Sequence, residues 1–287
     1  MSSLKALSLA AALTAHLVAQ TPVAPASAPA PAPPTPPSIL GFALTGSATI
    51  GSQYIFRGLT QTDGKPTIQG ELDLVHPSGF YLSTSLSNIS WFTDQNLNTA
   101  SAPVPAGAVS SASVEVDLFG GYKWGFAKDW TLDIGLYRYF YPGTYDNLVV
   151  YKNPDTTEAY LGLSYSWASL KYSRVLSGAY FGVANAEGTS YVDLSLAIPL
   201  GESGWSVLAH GGKTSLASSN GVDNSPLNYT DYKLGLALAL KDWTLTLAGT
   251  NADTKGLASD NQTPLYDNAM GRNIGKGRVT FTITKAF

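Results

Sequence analysis

The chain has 287 residues, a formal charge of -3 and no cysteine, and it carries 28 Gly, 16 Tyr and 6 Trp against only 13% charged residues. Mild acidity without a clustered basic excess excludes a phosphate-binding surface, and with it a nucleic-acid partner. The lack of cysteine excludes disulfides, so stability must rest on hydrogen bonding and packing.

The first residues, MSSLKALSLAAALTAHLVAQ, place Lys5 ahead of a mainly apolar run from Ala6 to Val18. This is the layout of a secretory signal peptide, and the run is too short for a membrane-spanning helix. Residues 1–19 are therefore expected to be removed, and loss of Lys5 moves the formal charge from -3 to -4. Residues 20–40 are dominated by Ala, Pro, Ser and Thr, a composition that favours an extended tether over helix or ladder. The folded unit is expected over 41–287, and no apolar run in it approaches the ~20 residues of a membrane helix.

Period-two stretches bounded by turn residues predict strands near 42–56, 67–75, 80–91, 113–124, 130–141 and 157–167. Six more follow near 168–176, 190–200, 205–213, 229–240, 243–251 and 277–287, giving an even number, twelve. Every second connection is short: His76-Pro77-Ser78-Gly79, GFAKD around residue 127, the contact near Trp167 and Ala168, GESG at 201–204, and Lys241-Asp242. The others are longer and rich in Asn, Asp, Ser, Gly and Pro. Such alternation puts all short turns at one end of an up-and-down meander, the layout of an all-β transmembrane antiparallel barrel with periplasmic turns and extracellular loops.

Side-chain alternation agrees. Over 229–240, Tyr232, Leu234, Leu236, Leu238 and Leu240 share one face, and Asp231, Lys233, Gly235, Ala237 and Ala239 share the other. Alternation alone leaves open which face is outside; the export signal and the loop pattern put the apolar face toward lipid. Trp130, Trp205 and Trp243 each follow a short turn, with Trp124 and Trp167 beside others, as an interfacial aromatic girdle requires. Ordinary core tryptophans are the competing explanation.

The stretch 52–90 carries Tyr54, Phe56-Arg57-Gly58, Gln61-Thr62, Lys65-Pro66, Gln69-Gly70, Gly79-Phe80-Tyr81 and Ser87-Asn88. This pattern resembles the start of the TorF-type porin-like family of bacterial outer-membrane proteins, also called Gcw-chp. The resemblance implies location and class, and it supplies no catalytic residue, ligand or solute.

An enzyme needs a histidine base beside a serine nucleophile. After the signal only His76 and His210 remain, and Ser206, on the face of His210, lies four strand residues away. No catalytic role is expected. Asp and Asn in NGVDNS at 220–225 and SDNQ at 259–262 lack a closed calcium-loop spacing and read as solvated turns, so no metal or cofactor is expected.

The expected lumen face carries Glu71 and Asp73 on the second strand, Glu115 and Asp117 on the fourth and Asp133 on the fifth, with Arg57, Lys171, Lys233 and Arg278 elsewhere around the ring. Separated acids and bases would set a transverse field in a wet pore and give a weak cation preference. Alternatively, the charges pair across a plugged lumen. Arg57 could hold a carboxylate or phosphate bidentately, or pair with Glu71 or another nearby acid.

The expected function is a porin-like channel in the cell outer membrane for passive diffusion of small polar or ionic solutes. Its rival is a non-conducting barrel with a structural or adhesion role through its loops. The last strand, RVTFTITKAF, alternates lipid-facing Val279, Phe281, Ile283 and Phe287 with threonines and must pair with the first strand. The family resemblance implies that Phe287 is the signal read by the outer-membrane assembly machinery.

Overall fold

The computed structural model describes residues 38–94, 112–145, 153–258, 260–268 and 270–287. The signal and most of the Ala/Pro-rich segment expected from the sequence lie outside the described residues.

Twelve strands form the barrel: β1 (Phe42–Gly51), β2 (Thr67–Val75), β3 (Phe80–Asn88), β4 (Val114–Ala127), β5 (Trp130–Phe140) and β6 (Thr156–Tyr165). They continue with β7 (Ala168–Val175), β8 (Ser190–Pro199), β9 (Trp205–Ser215), β10 (Tyr229–Leu240), β11 (Trp243–Ala252) and β12 (Arg278–Ala286). Each strand pairs antiparallel with the next, and β12 pairs with β1, Thr282 opposite Gly51 and Ala286 opposite Ser47. Gly46 and Phe287 extend this seam, their N–H and C=O groups exchanging bonds of 2.9 and 3.0 Å. Closure leaves no strand edge, the condition for a sheet to sit in hydrocarbon.

The strand bounds follow the predicted ones closely, with one instructive difference. The first strand ends at Gly51, not near residue 56. The chain then leaves the wall and turns inward.

Side-chain burial is inverted relative to a water-soluble protein. Leu234 and Val279 are 67% and 69% exposed, whereas Asp231 and Glu115 are 1% exposed. Exposed Ile68, Leu82, Leu118, Ile134, Leu161, Leu170, Leu194 and Leu247 repeat this around the wall. An apolar band of this extent is incompatible with water as the outer solvent and suits a bilayer. The fold is an outer-membrane β-barrel, and its outward face is the apolar one.

At the short-turn end the exposed rings form a belt. Trp130 packs on Tyr165 with centroids 4.8 Å apart, and Trp124 on Phe126 at 5.5 Å. Lys285, which interrupts the apolar face of β12, reaches back to Asp242 at 2.9 Å and lies over the Trp243 ring at 5.5 Å. The hydrogen bond from Lys285 holds the exposed Asp242 carboxyl below the usual carboxylate range. Trp91 is different: it sits at the long-loop end, packed on Phe92 at 4.0 Å.

Candidate functional site: a lumen crossed by an inward hairpin

Residues 52–66 join β1 to β2 and fold into the barrel. Ile55–Phe56 pairs with Leu59–Thr60, leaving Arg57-Gly58 as a two-residue loop. Both loop residues have positive φ, 46° and 76°, the backbone of a tight type I′ hairpin. Glycine is required at the second position for a further reason. A Cβ there would lie 2.5 Å from the Asp231 Cβ and 3.0 Å from that of Ala252, so the tip is driven against β10 and β11 across the lumen.

Arg57 anchors the tip. Its Nη1 donates to Glu158 Oε1 at 2.9 Å and its Nη2 to Oε2 at 2.7 Å, with Nη1 also 3.1 Å from the Tyr180 hydroxyl. The guanidinium lies over the Tyr191 ring at 4.2 Å and beside Phe56 at 4.9 Å. This fork geometry is the strong, orienting form of a charged hydrogen bond. The local partner named from the sequence, Glu71, is not the one used. Strand period two gives the face of a side chain but not what it meets across the barrel, and Glu158 lies 101 residues further on.

The rest of the segment is tied to the rim. Lys65 Nζ reaches Asp94 at 3.3 Å, Arg272 pairs with Asp63, and the amides of Ser90 and Trp91 donate to the Gln61 carbonyl at 2.8 and 3.1 Å.

Glu71, Asp73, Glu115, Asp117 and Asp133 occupy the inward sides of β2, β4 and β5. Hydroxyls hold most of them. Glu115 accepts from Tyr54 at 2.7 Å and Tyr141 at 2.6 Å, Asp117 from Tyr137 at 2.8 Å and Ser85 at 2.9 Å, and Asp133 from Tyr81 at 2.9 Å. Asp73 accepts from Ser83 at 2.5 Å. The donors in these bonds are neutral hydroxyls, which orient the carboxyls without pairing their charge. Lys123, not singled out from the sequence, stands among Asp133, Asp73 and Glu71, its Nζ 4.6 Å from the Tyr81 ring centre. Its inward parity follows from Glu115 and Asp117 on the same strand.

Lys171 and Lys233 face inward from β7 and β10, and Arg278 starts β12. Lys171 lies near Asp193, Glu158 and Asp133, with its Nζ 5.4 Å from the Tyr160 ring centre. Arg278 Nη2 reaches the Asn273 carbonyl at 3.5 Å near the long-loop end. Lys171, Lys233 and Arg278 thus stand apart from the acid-rich strands β2 to β5, interleaved with Glu158, Asp193 and Asp231, whereas Lys123 stands among those acids.

A further cluster is formed across two strands, where the residue pattern along either one alone does not show it. Ser195 stands opposite His210 in the β8–β9 register, its hydroxyl 3.0 Å from Nδ1, and His210 Nε2 is 2.8 Å from Asp231 Oδ1. These are the residue types of a hydrolytic triad, but the hydrogen bonds run otherwise. The Ser195 hydroxyl donates to Asp193 Oδ1 at 2.7 Å, and that carboxylate also faces Nδ1 at 3.4 Å. Each ring nitrogen therefore confronts a carboxylate, and the serine proton is directed away from the ring. A nucleophile needs its proton directed to the base. Ser206, considered from the sequence, is opposite Ala237, whereas His210 is opposite Lys233.

Among the described residues, no group of three or more His, Cys, Asp or Glu is arranged to hold a metal. At the loop tip considered for calcium, Asp260 is spent on capping. Hydrogen bonds from the Thr263 hydroxyl and from the amides of Thr263 and Gln262 hold its carboxyl down at about 2.

A cavity of about 60 Å³ remains between the hairpin and the wall, lined by Gln53, Tyr54, Arg57, Gln69, Lys233 and the threonines of β11 and β12.

The whole barrel, residues 36–287, matches the family model described as bacterial protein of unknown function (Gcw_chp). The chain belongs to the Gcw_chp family. No curated protein matches this Gcw_chp chain. Among solved structures it is similar to the NanC porin, at 13% identity and a TM-score of 0.47 over 85% of this chain and 99% of that one. It is also similar to a FadL homologue of Pseudomonas aeruginosa, at 12% identity and a TM-score of 0.42 over 88% and 76% of the two chains. The outer membrane phospholipase A of Escherichia coli gives 12% identity and a TM-score of 0.41 over 84% and 92%. These likenesses concern the barrel alone.

Proposed function

We propose that this Gcw_chp protein is a narrow porin-like channel of the cell outer membrane, passing small polar or ionic solutes passively along its lumen. The observation that carries this reading is the hairpin at Arg57-Gly58. It narrows a lumen lined by polar groups and by buried aromatic rings, and it is docked there by the Arg57–Glu158 pair and by Phe56 packed on Tyr139 and Phe181. Weak cation preference follows from the acids of β2 to β5, which are held by hydroxyls and not all neutralised by bases. Export by the N-terminal signal and recognition of Phe287 by the assembly machinery bring the barrel to that membrane.

Planar-bilayer recording of the refolded protein in a salt gradient tests this. Small, steady conductance with a cation-directed reversal potential is expected, and anion preference would remove the selectivity claim. Absence of conductance would favour a non-conducting barrel acting through its loops, a reading supported by the hairpin that crosses the lumen and the aromatic rings packed around it. Catalysis is not proposed, since the Ser195–His210 geometry sends the serine proton to Asp193. Release of fatty acid from phospholipid vesicles, abolished by Ser195→Ala, would reverse that view.

A further inference from the structure

The cavity beside the hairpin is unusual in which of its polar groups remain unspent. Asp231 is already engaged, Oδ1 by His210 at 2.8 Å and Oδ2 by Tyr191 at 3.1 Å. Left without a partner are Gln69 Nε2, Arg57 Nε and the hydroxyls of Thr246, Thr250 and Thr282. Each of these side chains belongs to a residue less than a tenth exposed. Lys233 lines the same space and, among the described residues, makes no hydrogen bond or ion pair, although it lies in the field of Asp193 and Asp231.

These groups converge because of strand register. Lys233 stands opposite Thr250 and Thr246 opposite Thr282, while on β1 Gly51 stands opposite Thr282 and Thr49 opposite Gln69 of β2. The hairpin supplies Arg57 from above. A carboxamide nitrogen, a guanidinium N–H and an ammonium can only donate, and threonine hydroxyls can donate as well as accept. A buried donor without an acceptor costs about 1–3 kcal/mol. The complementary guest is therefore rich in acceptors and small.

We propose that this cavity is a binding site for a small oxyanion, with a carboxylate of acetate or lactate size as the best fit. A cavity of about 60 Å³ has room for a guest of that size or for a few waters. The site deepens the channel reading and rests on it only in that a solute must reach the lumen. It coexists with an acid-rich lumen because the donors are confined to the wall from β10 through β12 to β2.

The test is titration of the refolded full-length barrel in micelles with ¹³C-acetate, lactate, inorganic phosphate and glycerol, followed by ligand NMR, with planar-bilayer conductance measured on the same preparation. Saturable binding of acetate or lactate is expected, weakened about tenfold or more by Lys233→Gln and by Thr250→Val, and unchanged by Lys128→Gln outside the lumen. Tighter phosphate than carboxylate would keep the oxyanion class and overturn the carboxylate choice. If Lys233→Gln fails to fold, Thr250→Val carries the comparison. No saturable binding, equal binding of glycerol, or indifference to both lumen substitutions would overturn the site and leave only ordered water there. Conductance without binding defeats the site alone, and binding without conductance defeats the channel reading alone.

Discussion

Arg57 and Glu158 are joined by two near-parallel hydrogen bonds of 2.9 and 2.7 Å across the barrel, both side chains almost fully buried. The pair couples the connection after β1 to the start of β6 and is the charged tie of the hairpin tip to the wall. Removing one partner of a buried pair strands the other charge and costs about 3–5 kcal/mol. Arg57→Ala or Glu158→Gln should therefore weaken docking of the hairpin by roughly two to four orders of magnitude. Expected outcomes are larger single-channel conductance and faster proteolysis within 52–66. The double replacement Arg57→Met with Glu158→Leu should recover part of the lost docking, because neither charge is then left alone.

Gly58 offers an independent route to the same state. Alanine there would need a left-handed backbone, at about 1–2 kcal/mol, and would also thrust its Cβ into Asp231. Gly58→Ala should displace the tip while leaving the Arg57 charge in place. Conductance should rise as in Arg57→Ala; wild-type conductance with wild-type protease resistance would mean that the tip is not seated against β10.

The strands and their alternation were legible because a lipid-facing strand must keep period two and its turns must use turn residues. The hairpin was partly legible. Tyr54 and Phe56 continue the alternation beyond Gly51, which extends the predicted strand; of the two turn residues only Gly58 is of a type favoured in such a turn, and Arg57 takes its positive φ without that cue. Its partner was not legible, since nothing local points from residue 57 to residue 158. The Ser195–His210 contact could have been found: counting outward from the GESG turn sets Pro199 opposite Ser206 and hence Ser195 opposite His210. The tyrosine donors to Glu115 and Asp117 are a different matter. Parity places Tyr137 and Tyr139 inward, but only the packed lumen selects which hydroxyl meets which acid.

The aromatic belt can be tested in vesicles. Single-tryptophan variants retaining Trp130, Trp205 or Trp243 should be quenched most by lipids brominated near the headgroup, because these exposed rings sit at the short-turn end of the apolar band. A variant retaining only Trp91, packed on Phe92 and Tyr141 at the other end, should be little affected. Equal quenching of all four would remove the girdle assignment.

The seam between β12 and β1 concentrates the last prediction. Gly46 lacks the side chain that would meet the Glu71 carbonyl at 2.7 Å and the Phe287 ring at 2.8 Å, so the ring folds over a glycine and the two backbones pair. Gly46→Ala adds a methyl to a full site, a change that typically costs about 1–3 kcal/mol. Deleting Phe287 instead leaves the Gly46 N–H and C=O unpaired at the bilayer boundary, where an unsatisfied backbone group is expensive. Both variants should lower the heat-modifiable folded fraction on gels and speed unfolding in urea. Phe287→Leu separates the two contributions of this residue, because it keeps the backbone pair and removes only the ring. Normal stability of the refolded Leu variant with reduced outer-membrane levels in cells would assign the ring to assembly; normal levels for both the Leu variant and the deletion would leave the ring and its backbone pair without an assembly role.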